Sequence, residues 1–160
     1  GWAYTSLENI YQSMNPDWKF IFKKGFHRIN ITIPPNIRDE VIWLIKPTNK
    51  SSTSPSFVFD FLACKVGSHK EYSEIKSSPE FAWVESKTGS AVFSGSQINA
   101  MSKINLPLAI FHVNDILEKP ESIIMDCDIK SGKKWLDELE PIDNEVYEFR
   151  NGKIPGKSKF

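Results

Sequence analysis

The chain is read as one mixed α/β domain. Short apolar runs of strand length are interleaved with stretches whose apolar residues recur at helical spacing. The strongest runs lie between Phe57 and Val113, where strand-like, strand-like, helix-like and strand-like pieces follow one another. At 160 residues, with 40% hydrophobic and 25% charged residues, the chain is long and apolar enough to bury a sizeable core.

The elements are expected in the following order. Leu7, Ile10, Tyr11 and Met14 make a helical stripe from Thr5 to Met14, with Thr5 as cap and Glu8 three residues on, as in a capping box. Asn15-Pro16-Asp17 stops it. Phe20–Phe22 is a short extended piece, and Lys23-Lys24-Gly25 turns. His27–Ile33 alternates, with Ile29, Ile31 and Ile33 on one side, as a half-buried strand ended by Pro34-Pro35. Glu40–Lys46 is expected as a strand from the alternation of Val41, Trp43 and Ile45, and Thr48–Pro55 as a loop. Phe57–Lys65 and Phe81–Lys87 are strands flanking the polar excursion Gly67–Glu80. Ser94–Lys103 is helical, with Ile98, Met101 and Ile104 on one face, and Leu108–Val113 is a strand. The pattern then weakens. Ser122–Ile129 is expected as an edge strand, Gly132–Leu139 as a short helix, Val146–Phe149 as a strand, and Lys153–Phe160 as a flexible basic tail.

Composition narrows the function classes. The net charge of zero argues against a simple polyanion-coating protein. Residues 1–110 hold 12 Lys/Arg and 9 Asp/Glu, and residues 111–160 hold 8 and 11, so the asymmetry is small. Cys64 and Cys127 form neither a disulfide framework nor a zinc site, and both are read as buried free thiols. No apolar run approaches the roughly 20 residues of a membrane-spanning helix. Gly1-Trp2-Ala3-Tyr4 lacks the basic start and apolar core of a signal peptide, so the expected location is the cytoplasm, with no membrane partner.

The chemistry is expected at Asp60 and at Glu85-Ser86-Lys87. A carboxylate in an apolar strand costs several kcal/mol unless it is paired or binds a cation. Two such carboxylates repel, and a hard divalent ion is their natural partner. Glu85 and Lys87 are two apart, so on a strand they share a face and the ammonium lies beside the carboxylate. The bland readings are solvated strand ends for these three residues and helix caps for the glutamine and glutamate below. His27, His69 and His112 have no metal-like spacing, and Trp2 or Trp18 could serve as an exposed stacking platform.

In this order of elements the stretch resembles the PD-(D/E)XK nuclease superfamily, whose restriction-endonuclease-like core is a helix, three antiparallel strands, a helix and a strand. Asp60 matches the first motif acid, Glu85 the second and Lys87 the lysine. Gln97, in the polar run Ser94-Gly95-Ser96-Gln97, stands where a polar residue follows on the next helix, and it equally suits the N3 place of a Ser94 capping box. Glu8 resembles the helical acid that some members add as a metal ligand. Asp60 is preceded by Phe59 and not by proline, and 25 residues separate it from Glu85; a second Glu-x-Lys, Glu74-Ile75-Lys76, lies in the polar excursion between them.

The resemblance covers roughly residues 1–116, a nuclease-like core, with 117–160 as a C-terminal extension of the same domain. It implies metal-dependent phosphodiester hydrolysis on DNA, with Asp60, Glu85, Lys87 and Gln97 catalytic. It also implies Mg²⁺ (or Mn²⁺ in its place) held by Asp60, Glu85 and Glu8. Lys23, Lys24, Arg28 and Lys65 are the expected phosphate contacts. The alternative is a catalytically inactive nuclease-like module that binds nucleic acid or protein. A homodimer, or a place within a larger multidomain protein, is the expected assembly.

Overall fold

The computed structural model describes residues 9, 11–13, 15–23, 26–27, 33–45, 58–66, 80–88, 92–114, 124–143, 146–150 and 157–158. They form a mixed α/β protein that divides into two compact units, Gly1–Trp83 and Val84–Phe160.

In the first unit, β1 (Trp18–Lys23), β2 (Phe26–His27) and β3 (Phe61–Lys65) pair in the order β3-β1-β2, all antiparallel. The described residues before β1 include a helical turn at Tyr11–Ser13, closed by Asn15 N–H donating to the Tyr11 carbonyl at 2.9 Å. Tyr11 is buried against Phe20, with ring centroids 5.2 Å apart, and Phe20 stacks on Phe61 at 4.1 Å. This aromatic file joins the turn to both strands. Glu8 lies outside the described residues, as do Lys24 and Arg28.

The expected strand Glu40–Lys46 is instead part of helix α1, Pro35–Ile45. Pro35 occupies its first position, where proline's fixed φ and missing N–H cost nothing. Ile37, Val41 and Leu44 are buried at helical spacing, while Ile42 and Trp43 are exposed. The Val41–Trp43–Ile45 alternation is thus incidental to a helix whose core stripe begins earlier. β-branched residues disfavour helix by only tenths of a kcal/mol, which one buried face outweighs.

Strand β3 is shorter than the expected Phe57–Lys65. Residues 58–60 bend, and the β1 register ends at Lys23↔Phe61, so Asp60 has no rung of β1 opposite it. Val58 N–H reaches the Leu44 carbonyl at 3.4 Å, and Phe59 is buried with its ring 6.2 Å from that of Trp83. Trp83, near the start of β4 (Phe81–Thr88), donates from Nε1 to Glu40 Oε2 of α1 at 2.8 Å, both residues lying in this unit.

In the second unit, β6 (Leu108–Asn114), β7 (Ile124–Lys130) and β10 (Lys157–Ser158) pair antiparallel in the order β10-β7-β6. β7 is therefore not an edge of this group, because Lys157 and Ser158 pair with Cys127 and Asp126. Those two residues of the expected flexible tail are strand, for the open side of β7 offers them a backbone ladder. A separate antiparallel sheet has the order β5-β9-β8, made of Val92–Ser94, Val146–Phe149 and Leu139–Asp143.

Helix α2 (Gly95–Lys103) buries Ala100 and Met101, and Ile104 just beyond it is also buried. Helix α3 (Gly132–Leu136) is capped by Ser131 and buries Trp135, whose Nε1 donates to the Leu108 carbonyl at 2.7 Å. The two helices meet closely at Gly132. A Cβ there would lie 2.2 Å from the Met101 carbonyl oxygen, so only glycine permits the approach. No helix among the described residues is long and apolar enough to cross a membrane.

Candidate functional site

Strand β4 places Phe81, Trp83, Glu85 and Lys87 on one face. The apolar part of that face comes first, and the charged pair comes where the strand is about to end. Glu85 is only 5% exposed. Lys87 Nζ lies 3.0 Å from Glu85 Oε2, and its side chain is 14% exposed. Such a pair is electrically neutral as a unit, which makes burial of the two charges tolerable.

The third member comes from α2. Ser94 ends β5 and caps the helix, its Oγ accepting from Gln97 N–H at 3.3 Å. Gln97 Oε1 accepts in return from Ser94 N–H at 3.2 Å, completing the capping box. The same Oε1 accepts from Lys87 Nζ at 3.2 Å, and Gln97 Nε2 donates to Glu85 Oε2 at 2.7 Å. Glu85, Lys87 and Gln97 therefore close a triangle, and the cap and the site share one side chain. The capping-box reading of Gln97 is realised in the geometry, and the same side chain also contacts Lys87 and Glu85.

Phe93 completes the surroundings of the ammonium. Lys87 Nζ sits 4.3 Å from the centroid of its ring, which is buried. Behind it, Phe93 meets Phe149 edge-on at 5.4 Å, and Phe149 meets Trp135 at 5.8 Å. Lys130 Nζ caps the far end, 4.5 Å from the Trp135 ring. Sequence reasoning passed over Phe93. Its signal was its place directly before the capping serine, which fixes its direction once the helix starts.

Asp60 belongs to the first unit and is buried, at 8% exposure, and its sequence neighbours Phe59 and Phe61 are buried too. Lys65 ends β3, with 45% of its side chain exposed, and stands 3.6 Å from Glu80. Lys23 pairs through its backbone with Phe61 and Phe26. Among the described residues no group of three or more His, Cys, Asp or Glu gathers. The donor chemistry of the buried Glu85 carboxylate is that of a hard oxygen ligand, which suits Mg²⁺ or Mn²⁺. Burial pushes the Cys64 thiol up to about 11.

Comparison with protein-family models, with curated proteins and with solved structures finds no match.

Proposed function

We propose that the chain is a metal-dependent nuclease acting on DNA, with the chemistry centred on Glu85 and Lys87. The observation that carries the reading is the triangle of Glu85, Lys87 and Gln97. A lysine, a carboxylate and an amide converge at 2.7–3.2 Å, largely withdrawn from water. Such a constellation is over-specified for a solvated strand end. Its residue types match the order in which the resemblance to PD-(D/E)XK nucleases would place them.

In this reading Glu85 would hold Mg²⁺, which when bound would polarise phosphate and acidify water, and Asp60 is the further acid that the resemblance expects. Lys87 presents a cation to the phosphate as negative charge develops on it. Gln97, fixed at the start of α2, holds the Lys87 ammonium against swinging away. Ser94, through the capping box, fixes Gln97. Phe93 gives the ammonium a wall that favours charge without forming an ion pair. Exchanging its contact with Glu85 for one with a phosphate oxygen would let Lys87 engage substrate without leaving this cage.

The test is cleavage of supercoiled plasmid and labelled duplex in Mg²⁺ or Mn²⁺, with calorimetric titration of the same ions. Wild type should bind metal and cut; an Asp60→Ala, Glu85→Ala double variant should do neither; Lys87→Met should bind metal without cutting. A Lys87→Met protein that cuts at the wild-type rate would sink the proposal. One observation favours a second reading, a nuclease-like module that binds without cutting: Glu85 Oε2 already accepts from both Gln97 and Lys87. That reading expects chelator-insensitive binding and no cleavage with any metal.

A further inference from the structure

We infer that the paired helices α2 and α3 form a phosphate-contact surface for duplex nucleic acid, with Lys103, Lys133 and Lys134 as its cations. The inference rests on the nuclease reading for its choice of polyanion, but its residues are new to that reading. All three lysines are exposed. The backbones that carry them meet at one place. Gly132 abuts the Met101 carbonyl; Lys133 and Lys134 follow Gly132 directly, and Lys103 is two residues past Met101. Lys133 and Lys134 make no ion pair among the described residues.

The rest of the surface has matching chemistry. Ser96, Asn99, Ser102 and Lys103 are exposed on α2 at spacings of three and four, so they line one side of the helix. Hydroxyls, amides and ammonium groups are the side chains that contact phosphate oxygens and fix register on a duplex. Acids, which would repel phosphate, are missing from this part of the sequence. None occurs from Ser86 to Asn114, and none from Ile129 to Leu136. Of the acids that follow α3, Glu138 is engaged by Lys130 at 3.0 Å, while Asp137, the C-cap through its backbone N–H, is the one exposed acid directly at the helix end. Helix α2 also carries Gln97 of the candidate site in its first turn and Lys103 in its last, on different sides of the helix. Six residues of helix separate them, about 9 Å along the axis.

The test is fluorescence anisotropy of a labelled duplex, in chelator, across a salt series. Wild type is compared with Lys133→Ala, Lys134→Ala and with Lys133→Arg, Lys134→Arg. Each lost phosphate contact lowers the slope of log affinity against log salt by about 0.9, so the alanine pair should lose about 2 while the arginine pair keeps the wild-type slope. Both positions are exposed, and circular dichroism melts should coincide. An alanine pair with the wild-type slope overturns the surface, as does a wild type that ignores duplex or prefers vesicles of anionic lipid. The two proposals fail separately. A protein that cuts, but whose binding ignores Lys133 and Lys134, loses the surface and keeps the nuclease reading. A protein that binds through these lysines and cuts with no metal does the reverse.

Discussion

Gln97 donates its amide Nε2 to Glu85 Oε2 at 2.7 Å while its Oε1 receives the Ser94 N–H that closes the helix cap. One side chain thus couples the start of α2 to the charged end of β4. Gln97→Ala should therefore remove two kinds of interaction at once, a cap contact and a hydrogen bond to a buried carboxylate. The expected cost is about 1–3 kcal/mol, read as a lower urea midpoint at unchanged slope.

Lys87 and Glu85 should behave as a unit. Lys87→Met alone leaves a buried carboxylate without its cation, and breaking a buried pair in this way costs about 3–5 kcal/mol. The double variant Glu85→Gln, Lys87→Met removes both charges and should recover most of that loss. A double-mutant cycle in urea measures the coupling. Strictly additive costs would show that the 3.0 Å contact contributes nothing.

Gly132→Ala should be destabilising although it is conservative and lies in a helix. The new methyl would meet the Met101 carbonyl oxygen at 2.2 Å and the carbonyl carbon at 2.9 Å, both backbone atoms. Neither can rotate away, so α2 and α3 must separate. A loss of about 1–3 kcal/mol is expected, measured by thermal or urea unfolding.

Cys64 should make stability fall at high pH. Burial raises its thiol from 9.0 to about 11 in the folded chain. Between those values the unfolded thiol loses its proton while the folded one keeps it, so the unfolded state binds fewer protons and is favoured as pH rises. The contribution is fully present below pH 9 and declines by up to about 1.4 kcal/mol per pH unit up to pH 11. Cys64→Ala should flatten that limb of the stability profile. In the folded wild type this thiol should resist a thiol reagent at neutral pH.

Much of the second unit was legible because local signals and burial agree there. Ser94 with Gln97 three residues on is a capping box in sequence and in space, and Val146–Phe149 is a strand as expected. Glu85 and Lys87 share a face for the simple reason that strands have a period of two. The misreadings come where one residue type serves two periods. Val41 fits both an alternating strand and a helix stripe, and only the burial of Ile37 and Leu44 separates them. Asp60 reads as part of a strand because Phe57–Lys65 is an apolar run with one acid in it, yet the β1 register ends at Phe61, and a pairing limit is a property of the partner strand. β8 was missed because Pro141 masks it, while the pairing of Lys157–Ser158 depends on an edge that no local pattern announces. What joins Glu85 to Gln97 is a contact across 12 residues, which the motif order suggested and spacing alone did not require.

The file of rings from Phe93 through Phe149 to Trp135 has a consequence for how the gene can be cut. Phe149 and Trp135 both lie beyond residue 116, where the resemblance to a nuclease core stops, yet they brace the ring on which the Lys87 ammonium rests. A fragment ending there would carry Glu85, Lys87 and Gln97 but leave Phe93 with a bare flank. Expression of such a minimal piece should yield a lysine with many orientations in place of one. Any effort to transplant this motif into another scaffold has to bring the chain beyond residue 116 along as its foundation.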